Sequence, residues 1–311
     1  MTQLNTTTVD HLLLGKLMPS IKHLYIVDSS RVKNILMPAN NNVERLIITN
    51  TPLTAIVFEE NAALSWLTMV ETELNHIPAS LGRLSNLLHF KLNQSPMRHF
   101  DLDIFCNFQK LETIDLEYNR IESVISREYF HECCKSLQHI NFKHNALKRI
   151  DVNMLAPYSK LQDVYFANNL IASLTGRLKH ILMFSVTLND NSLKTLDLCE
   201  WGPLSKMITF YVRRNNLIEI PKCLNQLQNL EIIVDHLLLG ELTTSVTHLH
   251  IVNSSCVKNI VMPANNNVER LTITNTPLSA IEFEENAALS WLMLEEADLN
   301  HIPATLSTIF F

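Results

Sequence analysis

Cysteine and histidine are the residues in this sequence that could do chemistry, and their spacing decides what kind. Thirteen histidines and six cysteines are spread over 311 residues. The cysteines are Cys106, Cys133, Cys134, Cys199, Cys223 and Cys256, with no CxxC pair among them. The ligand spacing of a zinc site is therefore absent, and no metal is expected. Neither GxSxG, HExxH, a phosphate-binding loop nor a dinucleotide fingerprint occurs. With only five glycines, a backbone cradle for phosphate has little to be built from. Neither catalysis nor a cofactor is expected.

The elements that would position any functional side chain follow from a repeat. The pattern LxxLxLxxN appears as LETIDLEYN from Leu111, LQHINFKHN from Leu137, LQDVYFANN from Leu161, MFSVTLNDN from Met183 and MITFYVRRN from Met207. Successive starts lie 26, 24, 22 and 24 residues apart, within the roughly 20–29-residue period of leucine-rich repeats. Weaker copies start at Ile21, Val43, Leu64 and Leu87, and again at Val246, Val268 and Leu289. Alternating apolar residues in LxLxx send one set of side chains inward from a short strand. From Val43, Leu46 and Ile48 point inward while Arg45, Ile47 and Thr49 point outward. One repeat cannot bury its apolar side alone, whereas stacked repeats share a continuous core. The expected fold is α/β: a single leucine-rich-repeat solenoid over residues 1–311, with about 12 repeats. It is expected to be a curved horseshoe with a parallel sheet on the concave face and short helices or turns on the convex face.

Position nine tests the pattern independently. Asn119, Asn145, Asn169, Asn191 and Asn215 all fall there. A side-chain amide both donates and accepts, so a ladder of them can satisfy backbone groups of adjacent loops. Ser29, Thr51, Thr72, Ser95, Ser254 and Thr276 take that place in the outer repeats, where a hydroxyl does part of the job.

Strand geometry also locates a binding face. Positions three, five, seven and eight project from the concave side. There the sequence places Asp115, Glu117 and Tyr118, then His139, Asn141, Lys143 and His144, then Asp163 and Tyr165, and finally Tyr211, Arg213 and Arg214. Exposed Tyr and Arg are the residue types that anchor protein interfaces. Asp115, Glu117, Tyr118, His139, Lys143, Tyr165, Tyr211 and Arg213 are the partner-binding candidates, and the expected partner is a protein ligand. His23, His89, His139 and His248 share the third position, either as a pH-sensitive surface or as one polar choice among several. Trp66 and Trp291 share it too, as exposed contacts or as residues buried under a neighbouring repeat. Asn93 opens an Asn-Gln-Ser sequon on the same side, where a glycan would obstruct a partner and where Pro96 discourages one. Cys199 and Cys223 both lie 16 residues after their repeat starts, either as a disulfide between adjacent turns or as packed thiols.

Residues 9–78 recur at 234–303, with VDHLLLG, MPANNNVERL and FEENAALSWL in both blocks. The junction near 234–245 is irregular: too few residues separate Leu230 from Val246 for a full repeat, and Asp235 falls at an inward position. A kink or cramped turn is expected there. The net charge of −6 argues against a nucleic-acid partner, which requires a basic face for its phosphates. The longest apolar stretch is far short of the ~20 residues of a membrane span. MTQLNTTTVDHLLLG lacks the basic start and apolar core of a secretory signal.

LETIDLEYNRIESV (111–124), SLQHINFKHNALKRI (136–150) and LNHIPASLGRLSNL (74–87) resemble extracellular leucine-rich-repeat proteins, and the insect leucine-rich immune proteins of the mosquito type in particular. That resemblance implies a secreted, non-enzymatic recognition or scaffold protein of innate-immune type. The alternatives are a cytoplasmic leucine-rich-repeat scaffold or regulatory subunit, and a truncated product without independent function.

Overall fold

The computed structural model describes residues 6–14, 20–39, 41–60, 63–126, 134–178, 182–202, 204, 206–207, 209–217, 222–223, 230–234, 246–252, 259–262, 268–276, 278–283, 288–297 and 299. The chain is a parallel-strand leucine-rich-repeat solenoid, and it forms two compact units. The first holds residues 1–148 with 154–164, and the second holds 149–153 with 165–311.

In the first unit, consecutive repeats contribute His23–Val27, Arg45–Thr49, Trp66–Val70, His89–Asn93, Thr113–Asp115 and His139–Asn141 to one parallel sheet. Third positions lie in register throughout, from His23 through Arg45, Trp66, His89 and Thr113 to His139. The inward set of the repeat pattern is the core. Leu46, Ile48, Leu67, Met69, Phe90, Leu92, Ile114 and Leu116 are all 0% exposed, while Arg45, Ile47 and Thr49 lie half-buried on the open face. Phenylalanines thicken this core: Phe105 lies 5.4 Å from Phe90 and 5.7 Å from Phe100, whose ring meets Phe142 at 5.6 Å.

The return side of each coil is made of short strands and turns. Thr8–Val9, Asn34–Met37 and Ala55–Phe58 pair in parallel, as do His99–Asp101 and Ser123–Ile125. Among the described residues the one α-helical segment is His11–Leu14. The 3-10 turn Leu102–Phe105 is capped by Asp101, whose carboxylate accepts the amide of Asp103 at 3.0 Å.

The second unit repeats the plan. Ser185–Thr187, Thr209–Tyr211, Leu230–Val234, Val246–Val252, Arg270–Thr276 and Trp291–Ala297 pair in parallel, in that order. Residues 235–245, where the sequence anticipates a kink, lie outside the described set. The strand before them pairs directly with Val246–Val252, and its register shifts between Leu230 and Glu231. That shift sets Ile232 and Val234 opposite Leu249 and Ile251, the fourth and sixth positions of the repeat pattern.

The asparagine ladder closes as the pattern requires. Asn145 Nδ2 donates to its own turn at Phe142 O (3.1 Å) and to the preceding turn at Leu116 O (2.9 Å), while its Oδ1 accepts Ile121 N at 2.9 Å. Asn191 and Asn215 do the same in the second unit. In the outer repeats the hydroxyls of Ser29, Thr51 and Thr276 each bond the carbonyl two residues back, and Thr72 Oγ1 meets Ser95 Oγ of the next turn at 2.8 Å.

Candidate functional site

A feature with no clear sequence signature fixes where the open face ends. At position eight the backbone turns left-handed in repeat after repeat: Asp28, Asn50, Glu71, Gln94, Tyr118, His144, Asn168, Asp190, Arg214, Asn275 and Glu296 all have φ between 47° and 58°. None is a glycine, although glycine is the residue this region favours. At Asp28, Asn50, Glu71, Gln94, Tyr118, Asn168 and Asp190 the conformation aims the eighth-position amide at the seventh-position carbonyl of the next turn. Asn50 N meets Val70 O at 3.1 Å, and Tyr118 N meets Lys143 O at 3.1 Å. The ladder is therefore prolonged past the strand, and the eighth side chain is set at its rim.

On the first unit the structure gathers four of the candidate residues, Asp115, Glu117, Tyr118 and Lys143, around Asn141 and His144, and pairs a fifth, His139, separately. Asp115 Oδ2 lies 3.0 Å from Lys91 Nζ, and its Oδ1 accepts Asn141 Nδ2 at 3.1 Å. The same amide reaches Glu117 Oε2 at 3.4 Å. His139 Nδ1 is 2.8 Å from Asp163 Oδ2. Tyr118 is 49% exposed and stacks flat on His144, with ring centroids 4.1 Å apart and planes 6° from parallel. Lys143 is half-buried beside them, its amide bonded to Asn141 Oδ1 at 3.0 Å. All but the Lys143–Asn141 bond cross strands, because the same position of one turn faces that of the next. The side chains are thus held before any partner arrives.

The remaining candidates lie on the second unit. Tyr165 and Tyr211 are half-buried. Thr187, in register with Tyr211, is 6% exposed although it too is an outward residue. Arg213 is half-buried; its amide bonds Asn189 Oδ1 at 2.7 Å, and its neighbour Arg214 pairs with Asp190 at 3.1 Å.

The third-position column holds what sequence reasoning missed. The Arg45 guanidinium sits 4.5 Å above the Trp66 ring, and Trp66 packs 4.2 Å from the His89 ring. Burial pushes the His89 pKa below its ordinary value; Glu112 opposes that shift, while Arg45 and His139 add to it. Arg270 lies 5.9 Å over Trp291 in the other block. The signal was available, since arginine, tryptophan and histidine follow one another at the same repeat position. Trp66 is half-buried and Trp291 is 56% exposed, so each alternative for the tryptophans describes one of them better.

Asn93 is 3% exposed. Its neighbours on the strand face cover it, which closes that sequon in the folded chain. Cys199 and Cys223 form a disulfide with Cα atoms 4.9 Å apart, and Cys106 is also disulfide-bonded. Cys134 is a buried free thiol. Among the described residues no group of three His, Cys, Asp or Glu side chains is placed to hold a metal ion, and no helix is long and apolar enough to cross a membrane.

No protein-family model matches the chain. Over 209 residues it is 23% identical to keratocan of Mus musculus, an alignment covering 66% of this chain and 57% of that protein. The chain therefore spans little more than half the length of this curated relative. Among solved structures, the functional domain of InlJ from Listeria monocytogenes, which includes a cysteine ladder, is similar with a TM-score of 0.61 at 18% identity, over 97% of this chain and 66% of that one. The leucine-rich-repeat domain of APL1B gives 0.54 at 16% identity, over 86% and 74%. The LRIM1/APL1C complex gives 0.54 at 13% identity, over 95% and 56%. At these identities the likeness is one of fold.

Proposed function

We propose that this chain is a non-enzymatic recognition protein of innate-immune type, secreted, that binds another protein through the open strand face of its repeats. The observation that carries this reading is the pre-ordered network on the first unit. Asp115, Glu117, Asn141, Lys91 and the Tyr118–His144 stack already hold one another. A partner docking there has less side-chain entropy to immobilise than on a face of free side chains, and it meets an exposed tyrosine among charges of both signs. The Cys199–Cys223 disulfide favours an oxidising compartment over a cytoplasmic one. The ground for the immune assignment is the resemblance of residues 111–124, 136–150 and 74–87 to insect leucine-rich immune proteins, and the fold likeness to the LRIM1/APL1C complex is consistent with it.

The test compares variants of the intact chain as bait in extracellular fluid. Asp115→Ala with Tyr118→Ala disarms the first unit's face, and Tyr165→Ala with Tyr211→Ala the second's. Lys194→Ala, exposed and away from the strand positions, is the control. A captured protein should be lost at least ~10-fold with one of the face variants and retained by the control. Capture that survives both face variants, with circular dichroism unchanged, removes the strand face as the binding site.

A further inference from the structure

The duplicated blocks provide a comparison of the chain with itself. Between 9–78 and 234–303 the inward residues hardly change: Leu24, Leu46, Ile48 and Leu67 match Leu249, Leu271, Ile273 and Leu292. Packing alone explains that. On the outward face the two columns behave differently. Every third-position residue is kept: His23 and His248, Arg45 and Arg270, Trp66 and Trp291. Every fifth-position residue differs: Tyr25 against His250, Ile47 against Thr272, Thr68 against Met293.

Core packing cannot account for the constant column, because Arg270 and Trp291 are exposed and Trp291 is 56% so. The two pairs also share a geometry. Each guanidinium lies over the ring of the tryptophan one strand on, at 4.5 and 5.9 Å, in register. Among the described residues neither Arg45 nor Arg270 forms a side-chain ion pair, although Lys22 takes Glu44 and Arg214 takes Asp190 nearby. A guanidinium held over a ring face by cation–π attraction keeps its N–H fork available to a further acceptor. That fork geometry matches a carboxylate bidentately.

We propose that the chain carries two homologous carboxylate-recognition surfaces, Arg45 on Trp66 and Arg270 on Trp291, each taking an acidic segment of a protein partner, with the fifth-position residues setting which segment each accepts. This rests on the reading of the strand face as a protein-binding surface. The first surface is flanked at position five by Tyr25, Ile47 and Thr68, and Lys22, just before its outer strand, pairs with Glu44. The second has His250, Thr272 and Met293 in those places, and Thr247 in place of Lys22. The first therefore favours an acidic segment with apolar neighbours and binds it more tightly. The second, where Thr247 cannot neutralise Glu269 next to Arg270 as Lys22 does Glu44, is weaker.

The probe is an acetylated hexapeptide alternating leucine with glutamate, with its glutamine counterpart as control, titrated into the intact chain by calorimetry. Tryptophan fluorescence reports the same sites, since Trp201, the third tryptophan, is 3% exposed. Two binding steps per chain are expected, with the glutamine peptide at least ~10-fold weaker. Arg45→Gln should remove the tighter step and Arg270→Gln the weaker, while Arg45→Lys, which keeps charge but loses the fork, should weaken the first step ~3-fold or more. Equal binding of the two peptides, a double Arg45→Gln/Arg270→Gln variant that binds as the unaltered chain does, or no binding by the unaltered chain overturns the proposal. If the peptide fails while protein capture still depends on Tyr118 or Tyr211, this two-surface inference falls and the broader reading stands. If capture is indifferent as well, both fall.

Discussion

Replacing Asn191 by alanine isolates what the asparagine ladder contributes. Its Nδ2 bonds Leu188 O and Phe166 O, each at 3.0 Å, and its Oδ1 accepts Ile171 N at 2.9 Å. The two carbonyls do not go unpartnered in the variant. Leu188 O still receives Asn215 Nδ2 at 2.9 Å, and Phe166 O still receives Asn169 Nδ2 at 3.0 Å. The amide of Ile171 has no second acceptor of that kind, and water cannot readily substitute beside a side chain only 8% exposed. One stranded buried donor costs ~1–3 kcal/mol, and the small void left by the amide adds a few tenths. Asn191→Ala should therefore destabilise the second unit by ~1–3 kcal/mol. Asn191→Ser should still bond its own turn, as Ser29 and Thr51 do, without restoring the Ile171 contact, so most of the loss should remain. Urea unfolding followed by circular dichroism and by Trp201 fluorescence, against Lys194→Ala, measures this. A loss below ~0.5 kcal/mol, the ordinary range of a surface change, would refute the claim that the ladder joins successive turns.

Four further outcomes are expected. Removing the Cys199–Cys223 bridge, whose ends are 24 residues apart, by replacing both with serine should cost ~3 kcal/mol; non-reducing peptide mapping of the parent chain should recover the two cysteines linked. Burial pushes the Cys134 thiol up to about 11, so alkylation near pH ~8 should be at least ~10-fold slower in the folded chain than in urea. The His89 pKa is held below its usual value of 6.5, chiefly by burial, so the unfolded chain protonates there first. The stability this group contributes is full above that usual value and declines as pH falls through it; His89→Gln should flatten the melting temperature between pH ~7 and ~5. Gly176 has φ +91°, and a Cβ there would fall on the Asp151 carboxylate, so Gly176→Ala should lower stability by ~1–3 kcal/mol in the same urea assay.

The alternation of Leu46 and Ile48 with Arg45, Ile47 and Thr49 made the strands legible, because a period of two admits only one inward set. Asn145 and its counterparts were legible because a buried amide at a fixed place has a defined task. Membership of the outward columns was read correctly, but their exposure was not. Asn93 and Thr187 belong to the open face by position and are buried in fact, since exposure depends on the packing of neighbouring side chains, which spacing does not encode. Asp163 was placed on the face, but its pairing with His139 depends on rotamers that spacing does not encode. The left-handed eighth position was missed although Asp28, Asn50, His144, Asn168, Asp190 and Asn275 are types enriched in that conformation, because Glu71, Gln94, Tyr118 and Arg214 interrupt the run.

That eighth position gives the molecule an unusual kind of freedom. Its backbone angle hardly varies from turn to turn, and its occupants range over acids, amides, a base, an imidazole and a phenol, with no β-branched side chain among the eleven. Chemistry can thus be exchanged along the rim while the path of the main chain stays constant. A library that varies these sites, omitting valine, isoleucine and threonine, would alter what the protein grips without redrawing its scaffold.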